Sequence, residues 1–148
     1  MNYKKILKYI LFLLPWFLSI IIFKVDTNYY NAINKPFFAP PPIIFAIIWP
    51  ILYILIAYSI YKVWDKKNTN YKIYLIINYI SNQLYTFCFF QLKNNFLALT
   101  DTIIVLISSL YLYIETKNID NKYSKYLIPY IIWNIFALIL SFSIFILN

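Results

Sequence analysis

Five apolar runs, at about residues 6–23, 43–61, 73–92, 96–114 and 126–147, occupy most of a chain of 148 residues. Each approaches the ~20 residues that an α-helix needs to cross bilayer hydrocarbon, a solvent in which only helices and closed barrels satisfy their own backbone. Barrel strands alternate in segments of about ten residues, and these runs do not alternate. A hydrophobic fraction of 63% also exceeds the roughly 45–50% of soluble domains. The runs therefore predict an all-α integral membrane protein, a bundle of five transmembrane helices. The connections are too short for a separate soluble domain, so residues 1–148 read as one unit.

All thirteen basic residues are lysines, and they are unevenly spread. Lys4, Lys5 and Lys8 precede the first run, Lys62, Lys66, Lys67 and Lys72 bracket the second connection, and Lys117, Lys122 and Lys125 follow the fourth run. Only Lys24, Lys35 and Lys93 fall on the other side. The positive-inside rule then predicts a cytoplasmic N-terminus and an external C-terminus, in what reads as a bacterial cell membrane. The net charge of +8 is accounted for by topology and anionic headgroups, so membrane lipid is the expected partner and nucleic acid is not. A basic start before an apolar stretch also resembles a signal peptide, but "FKVDTNYYN" offers no small-residue cleavage site, and the run reads as the first helix.

Several chemistries lack their usual residues. With no histidine, the commonest general base and transition-metal ligand are absent. The single cysteine, Cys88, excludes an intramolecular disulfide and a cysteine zinc cluster, and reads as a small apolar helix residue. With no glycine, P-loops, dinucleotide fingerprints and GxxxG contacts are missing too. No catalytic residue, no metal and no required cofactor is expected. Asp101 is the one acid well inside a run, where a charge is costly; it reads either as a structural anchor near a helix N-terminus or as a ligand contact.

The third run carries Asn78, Ser81, Asn82, Tyr85, Thr86 and Phe89 at helical spacing, a polar and aromatic stripe that should face the bundle interior. Interhelical hydrogen bonding, at about 0.6 kcal/mol per contact, explains such a stripe without any ligand. The second run offers a matching face, Phe45, Trp49 and Tyr53, and the fifth adds Tyr126, Tyr130, Trp133, Asn134, Ala137 and Ser141. Aromatic walls with sparse polar groups are how small-molecule pockets are built. Ordinary aromatic packing is the competing account, and Trp16 and Trp64 read as interfacial anchors.

Between the first two runs lies "KPFFAPPP". Pro40, Pro41 and Pro42 lack amide donors and hold the preceding residues extended, while Pro42 suits a helix's first turn. A stiff strap counted from Asp26 is long enough to fold over the bundle's outer mouth as a lid.

The stretch "KPFFAPPPIIFAIIWPILY" resembles the first-loop and second-helix signature of the TspO/MBR family of translocator and tryptophan-rich sensory proteins. "NYISNQLYTFCFF", "FLALTD" and "LIPYIIWNIFALIL" resemble later family segments in the same order, over about residues 34 to 148. The resemblance implies a five-helix membrane bundle, often a homodimer, whose cavity takes porphyrins, sterols and benzodiazepine-like ligands. It matches Trp49, Tyr53, Asn82, Trp133 and Ala137 to pocket positions, and Lys35, Pro36, Pro40 and Pro41 to the lid. Phe38 stands where the family usually has tryptophan, Tyr85 and Thr86 replace Trp-Ser, Asn78 replaces Gln, and Ser141 replaces Asn. The family's sterol motif is missing from "SFSIFILN".

The combined expectation is a receptor for flat hydrophobic ligands, tetrapyrroles such as porphyrin or heme above all, acting in their transport or sensing. Its ligand-binding residues are Phe45, Trp49, Tyr53, Asn82, Tyr85, Phe89, Tyr130, Trp133 and Ala137. Lys35, Pro36, Phe38, Pro40 and Pro41 form the lid, with Lys35 placed to pair with a propionate. Two alternatives stay open: an enzyme that degrades porphyrin with light or oxygen, and a small transporter or structural membrane subunit.

Overall fold

The structure is a computed structural model and describes residues 3–148. Its regular elements are all helical, and no strand occurs among the described residues. The α-helices are α1 (Tyr3–Leu13), α2 (Leu18–Ile22), α3 (Thr27–Ala32), α4 (Pro42–Val63), α5 (Thr69–Thr86), α6 (Asn95–Ile119), α7 (Asn121–Ser124) and α8 (Ile128–Leu147). Among the described residues, four stretches are long and apolar enough to cross a membrane: Tyr3–Ile22, Pro42–Lys66, Asn95–Ile119 and Asn121–Leu147. The third run, α5, is not among them, because Asn78, Asn82 and Gln83 interrupt its apolar residues.

Capping follows from the sequence. Asp26, Asn68, Asn94 and Asp120 each accept a backbone N–H of the helix that they begin, satisfying a donor that would otherwise be orphaned. Pro42 opens α4, where its missing donor is harmless. At the far end of α5 the helix widens into a π segment, Phe87–Gln91, and Leu92 N–H bonds to the Phe87 carbonyl at 3.0 Å. Lys93 then turns left-handed, with φ 50°. Glycine normally takes that position, but this chain has none.

The packing order is α1 on α4, α2 on α5, α5 on α6, α6 on α8, and the start of the fifth run back on α4. This closes a ring of rods around a core centred on Leu52, Tyr53, Ile56, Tyr71, Leu112 and Tyr130. Contacts between residues distant in sequence define two ends. At one, Lys8 pairs with both Asp65 oxygens at 2.9 Å and Asn68 Nδ2 donates to Glu115 at 2.9 Å. At the other, Lys93 meets Asp26 at 3.4 Å, and Asn34 and Asn148 exchange hydrogen bonds of 2.9 and 3.0 Å. The lysine-rich connections gather at the first end.

Pro15 shapes the first run. Residues Leu14–Phe17 form a 3-10 turn, which strands backbone groups that a continuous helix would pair. Helix α5 supplies the partners: Gln83 Oε1 accepts Ser19 N–H at 2.7 Å, Gln83 Nε2 donates to the Trp16 carbonyl at 3.5 Å, and the Tyr79 hydroxyl donates to the Pro15 carbonyl at 3.0 Å. Trp16 itself is in the core, 2% exposed, with its ring between Tyr53 at 5.7 Å and Tyr79 at 5.3 Å. The expected interfacial role is thus wrong for Trp16, because the break turns this residue inward. Trp64, beside Phe12 and under Lys67 Nζ at 3.9 Å, sits at the lysine-rich end as an anchor would. Gln83→Leu removes two of the three partners of the break and is expected to lower unfolding stability in detergent by about 1–2 kcal/mol. Denaturant unfolding checks this, and a loss below about 0.3 kcal/mol would mean that other groups satisfy the break.

The strap differs from expectation. It is not extended from Asp26; Thr27–Ala32 instead forms α3, because Asp26 Oδ1 caps it by accepting Tyr29 N–H at 2.9 Å. That hydrogen bond, with the Lys93 ammonium nearby, holds the Asp26 carboxyl below the usual carboxylate range despite some desolvation.

Candidate functional site

A cavity of about 530 Å³ occupies the half of the bundle that carries α3 and the proline strap, within the roughly 300–1,000 Å³ typical of small-molecule sites. Helical spacing brings its walls together. On α4, Phe45, Trp49 and Tyr53 recur every fourth residue and share one face. Asn82, Tyr85 and Thr86 of α5 continue into Phe89 of the π segment, and α8 adds Trp133, Asn134 and Ala137.

The rings interlock edge to face. Trp49 meets Trp133 at 6.5 Å and 87°, and Phe45 meets Trp133 at 5.8 Å and 72°. Trp49 and Tyr53 are 5.5 Å apart at 34°, while Tyr85 and Phe89 stack at 5.7 Å and 11°. Perpendicular aromatic pairs fix one another by their quadrupoles, so these walls are stiff and apolar.

Eight of the nine residues expected to bind ligand lie in this wall: Phe45, Trp49, Tyr53, Asn82, Tyr85, Phe89, Trp133 and Ala137. Tyr130 does not. It is fully buried one layer behind, with its ring 6.4 Å from Trp49. The strap residues Lys35, Pro36, Phe38, Pro40 and Pro41 are also outside the lining, which begins at Pro42 and Ile43. The strap is nevertheless tied to the wall. The Tyr30 hydroxyl, on a lining residue, donates to the Pro40 carbonyl at 2.8 Å, and Phe38 approaches Phe136 at 6.3 Å.

Two polar residues serve the fold more than the sequence suggested. Lys35 Nζ donates to the carbonyls of Tyr30, Asn31 and Ile33 at 2.5, 3.2 and 3.0 Å, closing the C-terminus of α3, where the helix dipole favours a cation. Asn82 Oδ1 accepts the Tyr53 hydroxyl at 3.1 Å, and its Nδ2 donates to Tyr130 at 3.1 Å. Tyr130 in turn donates to Asn78 Oδ1 at 3.1 Å, and Asn78 Nδ2 reaches the Val105 carbonyl at 3.1 Å and Ser108 Oγ at 3.0 Å. The stripe on α5 is therefore divided. Asn78 binds helices together beneath the cavity, Asn82 does so at its floor, and Tyr85, Thr86 and Phe89 face it.

Trp133 and Asn134 both line the cavity, but Trp133 Nε1 and Asn134 Nδ2 are buried behind its surface, the first without a hydrogen bond and the second beside the Tyr130 hydroxyl. Asp101 Oδ2 is likewise buried and unpartnered, but Asp101 lies outside the lining, which takes its neighbour Thr102. Among the described residues, no three His, Cys, Asp or Glu side chains gather as a metal site. Sequence reasoning placed the pocket on three helices and missed Ser19, Tyr30, Thr102 and Val105. Thr102, one position past the conspicuous acid, had a faint signal; Tyr30, in a connection, had none.

Fold and cavity together define a polytopic helical membrane protein with an aromatic-walled cavity between its helices. The sequence profile described as the TspO/MBR family matches residues 10–147, and the chain belongs to that family. It is 35% identical over 136 residues to the Tryptophan-rich protein TspO of Bacillus cereus, an alignment covering 90% of this chain and 89% of that protein. It is also 35% identical over 127 residues to the Uncharacterized membrane protein YtaB of Bacillus subtilis, covering 83% and 82%. With the Tryptophan-rich protein TspO of Archaeoglobus fulgidus it shares 32% over 128 residues, covering 82% and 80%.

Proposed function

We propose that this protein is a five-span membrane receptor for flat hydrophobic ligands of the tetrapyrrole class. In this reading α5 is the fifth span: Ile73, Ile76, Ile77, Ile80 and Leu84 form an exposed apolar face, while its amides are turned inward and bonded, which hydrocarbon requires. The lysine-rich end is cytoplasmic, and the strap is an outer lid.

One observation carries the ligand class: a cavity of small-molecule size whose walls are apolar and aromatic. A planar macrocycle would stack on the rings. Asn82 and Lys35 are not needed for that contact, since both are already bonded within the protein.

Titration of protoporphyrin into the detergent-solubilised protein, followed by porphyrin absorbance, is expected to saturate. A Trp49→Phe/Trp133→Phe double variant is expected to bind about 10-fold more weakly. Equal affinity in the two proteins would overturn this reading.

A further inference from the structure

Residues that line the cavity and are also exposed on the outside of the bundle mark where it opens. Ile20 (54% exposed), Val25 and Thr27 form one lip; Ile43 (61% exposed) and Ala46 form the other. The mouth therefore lies on the flank of the bundle, between the outer part of the first run and the first turns of α4.

The break at Pro15 opens it. Below the break α1 is joined to α4: the Tyr9 hydroxyl donates to the Ile54 carbonyl at 3.1 Å, and the rings of Phe12 and Trp64 meet at 4.8 Å. Phe17 closes this stretch against Tyr53 at 5.3 Å. Above the break α2 leans on α5, through Ser19 to Gln83 at 2.7 Å, and Phe23 then meets Phe87 at 5.3 Å. Helix α2 meets α4 at its foot, where the Ser19 side chain bonds the Tyr53 hydroxyl beside the break; above Ser19 no hydrogen bond or ring contact among the described residues joins the two. The seam is shut in one half of the bundle and parted in the other.

The top of the cavity is fastened. Asn34 N–H donates to Asn148 Oδ1 at 3.0 Å, Asn34 Nδ2 to the Leu147 carbonyl at 3.2 Å, and Asn148 Nδ2 returns to the Asn34 carbonyl at 2.9 Å. Both lips within the spans, by contrast, are isoleucine and alanine, surfaces that adjoin hydrocarbon rather than water.

We infer that ligands reach the cavity sideways from the bilayer, through the parted seam between α2 and the first turns of α4, and not through the strap. This rests on the ligand-binding reading above. It makes membrane partitioning a condition for binding: the site selects apolar molecules already dissolved in lipid.

Two cysteine pairs in a Cys88→Ala background test the route. Ile20→Cys/Ala46→Cys spans the seam, and Asn34→Cys/Asn148→Cys spans the clasp above. Each folded protein, in liposomes, is bridged with a reducible bifunctional thiol reagent, and protoporphyrin uptake is followed by stopped flow. Bridging the seam is expected to slow association at least tenfold and reduction to restore it, while bridging the clasp leaves the rate within twofold. Slowing by the clasp bridge alone, or a rate indifferent to the seam bridge, would overturn lateral entry while leaving binding intact. No saturable uptake by the unbridged Cys88→Ala protein would overturn the ligand reading, and the route with it.

Discussion

Replacing Asn78 with leucine is expected to lower unfolding stability by about 2–4 kcal/mol, the largest loss for any single polar side chain in the bundle. Asn78 is fully buried and holds three groups on two other helices: the Val105 carbonyl, Ser108 Oγ and the Tyr130 hydroxyl. At about 0.6 kcal/mol each, the three bonds supply roughly 2 kcal/mol. A leucine cannot accept from Tyr130, so the remainder comes from leaving that phenol a donor without an acceptor in a dry core. Tyr53→Phe is the internal control, because it removes only the hydroxyl's bonds to Asn82 and Ser19, and about 1 kcal/mol is expected. Denaturant titration of both variants measures the ratio. Equal losses would mean that Asn78 is no more than one contact among many.

Ala137→Trp should abolish ligand binding, with affinity falling at least 100-fold, while the protein stays as stable as before or gains stability. Ala137 lines the cavity on α8, one turn beyond Trp133 and beside Phe136. An indole there fills space that the fold otherwise leaves open, so it blocks the ligand without displacing packed side chains. Parallel porphyrin titration and thermal unfolding separate the two effects. Retained affinity would place the ligand elsewhere; lost affinity together with a lower melting temperature would mean that position 137 is packed, not open.

The walls of the cavity were legible in the sequence because helical periodicity is a local property. Phe45, Trp49 and Tyr53 must share a face wherever α4 lies, and the same holds for Trp133 and Ala137. What α5 does with its amides was only half legible. Spacing placed Asn78 and Asn82 inward but not which atoms they meet, since Tyr53, Tyr130 and Val105 are 29, 52 and 27 residues away. Gln83 lies beside the stripe, and its role depends on a backbone break 67 residues distant; no pattern within α5 could indicate it. Lys35 was misleading for a related reason. Its lid role assumed an extended strap, and once Asp26 caps α3 the nearest acceptors for the ammonium are that helix's own terminal carbonyls.

The hydrogen bond from Ser19 to Gln83 also sets how freely the flank can widen. Shifting α2 further from α4 keeps this bond and gives up only the Ser19 side chain's contact with Tyr53, whereas sliding α2 along α5 removes the Ser19 amide from Gln83. An unpaired buried amide costs about 1–3 kcal/mol, so the slipped arrangement would hold roughly 1–15% of molecules at equilibrium. Gln83 is thus a ratchet that resists one direction of travel, and its neighbour Asn82 fastens the cavity floor from the next residue of the same helix. A single turn of α5 sets both the width of the entrance and the depth to which a guest can settle.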